Sequence, residues 1–372
     1  MSTLETEIGT LTLRNPVICG SGEHVMTEAG IDAALRTGAA GVVAKSLNES
    51  VSAAEQLDIA DYVLVGSDQR LREWGAEEAR GASLLCRSGL QQIGREQWIE
   101  TIARADRKAR RSDQFVAASL VYGELEGALD IARAAGQAGI RIFELNMGSP
   151  LSYEAAKGSI TSVTEAEDVQ RTVALVREAF GGIVWAKLTG LSNNLPELAE
   201  AARAGGAESV GLAGRLMGFL PDLDSHAPVL NTSAGYGGPW ALPIACRWVA
   251  LARRRLGPDY SLIGTNGARG GLDVARFVLS GASGVELTSL VMQEGFGALE
   301  ACVEDLRNYV DGKATSIKAL VGVAADRMQT YAERSSHSRT PGHWKNFVPA
   351  QTLSECAVEE DLDKSASTGG RA

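Results

Sequence analysis

The residues best suited to chemistry gather where short apolar runs stop. Arg141-Ile-Phe-Glu-Leu-Asn-Met-Gly-Ser-Pro150 carries Ile142, Phe143 and Leu145, which suit a buried strand, and then breaks at Asn146, Gly148, Ser149 and Pro150. Such an ending holds an amide and a hydroxyl against a ligand, and makes Ser149 a candidate to take a proton. A serine hydroxyl needs a partner or an ordered water to activate it. The plainer alternative is that Ser149 caps the helix that follows. Other runs end similarly, at Gly20-Ser21-Gly22, Lys45-Ser46, Lys187-Leu188-Thr189, Gly211 to Gly214, Gly264-Thr265-Asn266-Gly267 and Leu287-Thr288-Ser289. Lys45 and Lys187 lie in apolar surroundings, where an ammonium is costly without an anionic partner. Either alone is equally well read as a lysine snorkelling at a strand end. Both aimed at one place favour an anionic ligand. Ser233-Ala-Gly-Tyr-Gly-Gly-Pro-Trp240 reads as the opening of a helix, whose free backbone N–H groups would hold a phosphate. Tight turns are the alternative use of its glycines.

The elements that must position these residues recur along the chain. Residues 4–14 read as a hairpin broken at Gly9-Thr10, and a helix is expected over about 27–37. An alanine-rich amphipathic helix, a small-residue break and a β-branched run then repeat, as in RAAGQAGIRIFELN, ARAGGAESVGLAG and VLSGASGVELTS. Strands are expected near 16–20, 41–46, 115–121, 141–146, 182–188, 208–213, 260–265 and 283–289. Eight strands alternating with helices predict an α/β (β/α)8 TIM barrel, with the N-terminal hairpin added. An open doubly wound sheet would need an early GxGxxG turn, and none is present. Residues 47–94 and 215–238 are too long for plain loops. Both leave the carboxyl ends of strands, so they are expected to be lids or substrate walls on the C-terminal face. The barrel is expected over residues 1–335 as a single domain, and residues 336–372 as a partly disordered tail.

Composition narrows the classes. Hydrophobic residues make up 45% of the 372, enough for a large core, and the net charge of −10 argues against a nucleic-acid surface. Cys19, Cys86, Cys246, Cys302 and Cys356 are scattered with no CxxC pair, so no metal or iron–sulfur site is expected from this chain. The N-terminus shows no signal-peptide pattern and no apolar run reaches a membrane span, so a cytoplasmic protein with no membrane partner is expected.

Taken together, the strand ends resemble those of the dihydroorotate dehydrogenase family and the related pyrimidine-reducing domain of dihydropyrimidine dehydrogenase. The resemblance covers about residues 4–325. NPVICGSGEHVMT resembles the family's first strand and its flavin-contacting turn, and VVAKS its second strand with a lysine. FELNMGSP resembles Glu-Leu-Asn-Leu-Ser-Cys-Pro, VWAKLTG resembles Val-Lys-Leu-Thr-Pro, and SAGYGGPWALPIA the Gly-Gly-Leu-Ser-Gly-Pro-Ala segment. IGTNGA and VELTS resemble the two strands that seat the FMN phosphate. The resemblance implies an FMN-dependent oxidoreductase in which Lys187 sits beside the flavin N1–C2 edge, an electrostatic role. It implies ring contacts from Gly20, Ser21, Lys45 and Ser46, with Lys45 also reaching substrate and Asn146 bonding flavin or substrate. Gly237, Gly238, Gly264, Asn266, Gly267, Thr288 and Ser289 fall at the phosphate. Ser149 falls on the catalytic base, which is cysteine in cytosolic members and serine in membrane-associated, quinone-using ones. A homodimer is common in the family.

The family's substrate asparagines are largely replaced. Cys86 stands for one in Cys86-Arg-Ser-Gly-Leu90, Gln92 for a second, Leu151 for a third and Gly214 for a fourth; Asn146 remains. A site built of hydrogen-bonding groups discriminates strongly, so this exchange predicts a less polar substrate than dihydroorotate. Cys86, Arg87, Gly89, Leu90, Leu151, Gly214 and Lys45 are the expected substrate residues. Arg87 is a candidate for a substrate carboxylate or simply a surface arginine, and Cys86 rivals Ser149 as base if its thiolate is favoured. The expected reaction interconverts a C–C single and double bond beside a carbonyl or amide, with Ser149 exchanging a proton and flavin N5 a hydride. Alternatives are a dihydropyrimidine dehydrogenase-type subunit with an electron-transfer partner protein, a non-redox lyase or isomerase barrel for a phosphorylated metabolite, and a flavin-binding protein without catalysis.

Overall fold

A computed structural model describes residues 4–149, 162–330 and 332–333. All eight expected runs form strands: β1 (Val17–Cys19), β2 (Gly41–Val43), β3 (Phe115–Val121), β4 (Ile142–Asn146), β5 (Ile183–Lys187), β6 (Ser209–Leu212), β7 (Ser261–Thr265) and β8 (Ala282–Leu287). They pair in parallel, each with its neighbour in sequence and β8 with β1, and close a barrel. Helices follow the strands, so the architecture is a (β/α)8 barrel. The helix after β1 spans Glu28–Arg36 and is capped by Thr27, whose hydroxyl accepts from the Gly30 N–H. The small-residue breaks between helix and strand turn through positive φ at Gly139, Gly206 and Gly281, which permits the short connection to the next strand.

Strand alternation sorts the side chains into two cores. Outward residues such as Val42, Phe143, Val184 and Val285 pack under the helices. Inward residues Ile18, Val43, Phe115, Ile142, Trp185 and Ile263 fill the barrel floor, with Phe115 and Trp185 edge to face at 5.3 Å. The hairpin, Thr6–Ile8 with Leu11–Leu13, adds Ile8 and Leu13 to that inner cluster and plugs the N-terminal end. One step further along the strands the inward positions become polar.

The two long connections do more than wall the barrel mouth. Asp61–Val65, Leu71–Arg72 and Ser83–Arg87 come from the first, Leu216–Gly218 and Ala234–Gly237 from the second, and they form one five-stranded antiparallel sheet. This corrects the expectation that Ser233–Trp240 opens a helix. Ala234–Gly237 is a strand paired on both sides; the turn Pro239–Ala241 and helix Leu242–Leu256 come only after it. The chain divides into two compact units, residues 1–326 and 327–372, and the expected tail from 336 lies outside the described residues. No helix among the described residues is long and apolar enough to cross a membrane.

Candidate active site

The carboxyl ends of the barrel strands and the antiparallel sheet line a common cleft. Its floor holds a buried ionic cluster. Lys187, at the end of β5, reaches Glu144 of β4 at 3.4 Å and makes a short ion pair with Glu286 of β8. Ser119 of β3 donates to Glu144 Oε1 at 2.8 Å, and Ser46 and Ser21 continue that hydroxyl chain to the cleft at 2.8 and 3.1 Å. Two carboxyl groups share one ammonium here, and both are almost fully buried. A second negative charge would stay uncompensated, so the pair holds a proton. Burial and the neighbouring Glu144 raise the Glu286 carboxyl. Burial also raises Glu144, but Lys187 together with hydrogen bonds from Glu286 and Ser119 outweighs it and leaves Glu144 below the ordinary range. Lys187 stays charged, because the two glutamates outweigh its desolvation. Among the described residues Glu286 Oε1 has no hydrogen-bond partner, although Glu286 lines the cleft.

A raised carboxyl favours folding below its unfolded value, and that contribution is lost as pH rises through the folded one. For Glu286 the window runs from 4.5 to about 8. Glu286→Gln is therefore expected to flatten the fall of stability with pH across this interval, which urea denaturation at a series of pH values measures. An unchanged slope would show that Glu286 is ionised like its neighbour.

The wall facing this floor is built around Glu23, in the turn after β1. Its carboxylate accepts from Lys45 Nζ at 2.7 Å, the Gly89 N–H at 3.0 Å, Ser88 Oγ at 3.2 Å and, in a short bond, Tyr62 Oη. Burial raises this carboxyl, but Lys45 and Tyr62 bring it below the ordinary range. Burial lowers the Lys45 ammonium, and Glu23 only partly restores it. The anionic partners that Lys45 and Lys187 require are thus glutamates of the same chain, which removes the ground on which the two together favoured an anionic ligand.

The antiparallel sheet turns Arg87 away from the cleft and brings another arginine into it. Along Ser83–Arg87 successive side chains alternate, so Leu84 and Cys86 turn to the cleft side and Arg87 to the other, where it pairs with Asp61 at 2.9 Å. The arginine in the cleft is Arg215, which donates to Cys86 Sγ in a short bond. Cys86 itself is fully buried, and that burial raises its thiol despite Arg215, so it is poorly suited as a base.

Ser149 lines the cleft, and among the described residues its hydroxyl has no hydrogen-bond partner. Asn146 lines it too, its Oδ1 accepting from the Gly148 N–H at 3.2 Å. Gly148 is pressed against β5: a Cβ there would fall 2.1 Å from the Thr189 nitrogen, which ties the Asn146–Ser149 turn to the end of the Lys187 strand. Gly214, Gly237, Asn266, Gly267, Thr288 and Ser289 line the same cleft, and Gly238, Gly267 and Ser289 also line a smaller adjoining recess with Arg269. Gly267 (φ +102°) backs onto the first turn of helix Leu242–Leu256, a Cβ falling 2.4 Å from the Leu242 nitrogen.

The structure thus brings together most of the expected residues: Ser21, Lys45, Ser46, Asn146, Ser149, Lys187 and the glycines and hydroxyls at β7 and β8, with Gly89, Leu90 and Gly214. Gly20 and Gly264 stand behind the cleft as packing positions, against Thr288 and Phe277. Leu151 lies outside the described residues. The sequence reading missed Glu23, Tyr62, Ser88, Arg215, Glu144 and Glu286. The two strand glutamates left a signal, since each interrupts an apolar run that is buried on both faces. The others left none. Among the described residues no cluster of His, Cys, Asp or Glu is arranged to hold a metal.

A family model described as dihydroorotate dehydrogenase matches residues 3–310. The chain is 28% identical over 324 residues to a protein named dihydroorotate dehydrogenase B (NAD(+)), catalytic subunit, from Pyrococcus furiosus, covering 86% of this chain and 98% of the relative. The protein of the same name from Thermoplasma acidophilum is 26% identical over 330 residues, covering 87% and 99%. A dihydroorotate dehydrogenase A (fumarate) from Limosilactobacillus reuteri is 30% identical over 175 residues, 46% of this chain and 55% of the relative.

Proposed function

The chain belongs to the dihydroorotate dehydrogenase family, and on that premise we propose that it is an FMN-dependent oxidoreductase interconverting a C–C single and double bond beside a carbonyl or amide. The observation that carries this reading is the shared cleft, which sets Asn146 and Ser149 beside Lys187, with the glycine-lined recess at the β7–β8 end. FMN fits these residues. Gly238, Gly267 and Ser289 would hold its phosphate, with Arg269, which lies 3.9 Å from Glu294 in the same recess, turning to it, and Lys187 with Glu286 Oε1 would meet its ring edge. When bound, FMN supplies hydride exchange at its N5.

The chain's own residues supply the rest. Lys187 places a fixed positive charge at the floor of the cleft, and its glutamates hold it there without reorganisation. Asn146 offers its amide N–H to a carbonyl oxygen, since its Oδ1 is already bound to Gly148. Ser149 takes or returns a proton at the substrate carbon. With no described side chain to activate it, an ordered water is the partner this role requires.

The substrate differs from dihydroorotate in this reading, because Cys86 and Gly214 stand where the resemblance expects amides, and charged and apolar side chains (Glu23, Arg215, Leu57, Leu90) line the cleft. A second reading adds an electron-transfer subunit, favoured by the words "catalytic subunit" in the relatives' names. A homodimer belongs to the same proposal and is checked by sedimentation velocity.

The test is the absorption spectrum of the purified protein, followed without oxygen as dihydroorotate and other saturated or unsaturated amides and acids are added. A flavin spectrum that responds to one of those others and ignores dihydroorotate is the expected result. Bleaching by dihydroorotate would overturn the changed substrate, and absence of flavin would overturn the oxidoreductase reading in favour of a phosphate-binding lyase or isomerase.

A further inference from the structure

Arg215 feels the Glu23 carboxylate at a distance but makes no direct ion pair among the described residues. It lies in the wall of the cleft, just after Gly214, and the described residues place no carboxylate within ion-pair distance of it. Its one hydrogen-bond acceptor among them is the Cys86 sulfur, a weak one. Every other ionic group lining the cleft is matched: Lys45 by Glu23, and Lys187 by Glu144 and Glu286.

The sheet is shaped to hold this side chain. Gly235 pairs across the sheet with Cys86, and a Cβ at Gly235 would fall 3.1 Å from Arg215 Nη1. At Gly237 a Cβ would lie 3.3 Å from Arg215 Cγ. The two glycines therefore leave a flat slot in which the arginine lies against the strand backbone. From the other side, Asn266 Nδ2 donates to the Gly214 carbonyl at 3.1 Å and fixes the residue before it. A planar fork held in place in the wall of the cleft is suited to a carboxylate met edge-on.

Resting on the oxidoreductase reading above, we propose that Arg215 is a specificity-determining residue that binds a carboxylate on the substrate, which makes the substrate an unsaturated or saturated acid rather than a neutral amide. Lys45 is not an equivalent anchor, because Glu23 already neutralises it at 2.7 Å. Arg87 is excluded by its place on the opposite face of the sheet. The carboxylate adds to the Cys86 contact without displacing it, since the guanidinium has donors to spare. No bond is made or broken at Arg215.

Two matched pairs test this: orotate against uracil, and crotonate against crotonamide, each titrated by calorimetry into the protein as purified, after its flavin content has been recorded. In the wild type the acid of at least one pair is expected to bind ten-fold or more tighter than its neutral partner. Arg215→Gln should weaken the acid by about 10- to 150-fold, the loss of hydrogen bonds to a charged group, while the neutral partner shifts less than about two-fold. Arg215→Lys, which keeps the charge and loses the fork, should fall between and serves if the glutamine variant does not fold. No preference for the acid in either pair, or a preference that survives both substitutions, overturns the proposal. Because binding is read as heat, a protein without flavin would sink the oxidoreductase reading while leaving the Arg215 result interpretable.

Discussion

Lys187→Met is expected to destabilise the protein by about 3–5 kcal/mol at neutral pH, the usual cost of removing one partner from a buried ionic cluster. Glu144 and Glu286 would remain, both almost fully buried, with each other and Ser119 as polar contacts but no cation. The variant meets this by protonating both carboxyl groups. Its folded state then takes up a proton that the wild type does not, so the sign follows directly. The deficit is smallest in acid, where Glu144 is protonated in the wild type as well, and grows as pH rises. Urea denaturation at about pH 5 and about pH 8 measures it. Adding Glu144→Gln to the variant should recover much of the loss at the higher pH, because it removes a carboxyl group that has lost its cation. A deficit that shrinks with rising pH would mean that the cluster's charge is not as described. Flavin reduction should also slow in this variant, but only the pH dependence of stability separates the ionic cluster from a general loss of packing.

Ser149→Ala should slow substrate-driven flavin reduction by about 10²- to 10⁴-fold, the range for removing a positioned acid–base group, with FMN still bound. Flavin content and anaerobic stopped-flow reduction separate the two effects. Cys86→Ala is the matching control. Its thiol is buried, bonded to Arg215 and held above its ordinary range, so its removal should change substrate affinity more than the rate of reduction. Reduction at the wild-type rate in Ser149→Ala, with a collapse in Cys86→Ala, would transfer the proton to the thiol. Equal and modest losses in both would point to a water-borne proton with neither side chain as base. The distinction matters because the Ser149 hydroxyl faces the cleft with no described side chain to activate it.

These expectations join residues far apart in the chain, and this marks the limit of what the sequence alone discloses. The barrel was legible because its signals are local. A strand such as Ile142–Asn146 is a run of apolar residues closed by small polar ones, and its helix is an amphipathic stretch ended by glycine. The expected strand positions and the hairpin at Gly9-Thr10 agree with the folded chain for that reason. The floor of the site was legible for a related reason. In a parallel barrel every strand end points to the same mouth, so Lys45, Asn146, Lys187, Asn266 and Thr288 converge once the fold is known.

The upper wall obeys no such rule. Arg215 meets Cys86 only because Ala234–Gly237 and Ser83–Arg87 pair in one antiparallel sheet, and that pairing leaves no trace in the local pattern of either segment. The register of that sheet also decides which face each side chain takes. A shift of one residue would bring Arg87 to the cleft and send Cys86 away. Glu23 gathers Lys45, Tyr62 and Ser88 from three separate segments, so its role as the centre of the wall belongs to tertiary structure. The sequence by itself determined the barrel and the ring of residues at its mouth, because strand composition and a single barrel geometry are enough to place them. The folded chain alone decided which charges of the cleft are already paired and that Arg215, among the described residues, has no direct ion pair there, because ion pairing depends on distances between segments that no local pattern encodes.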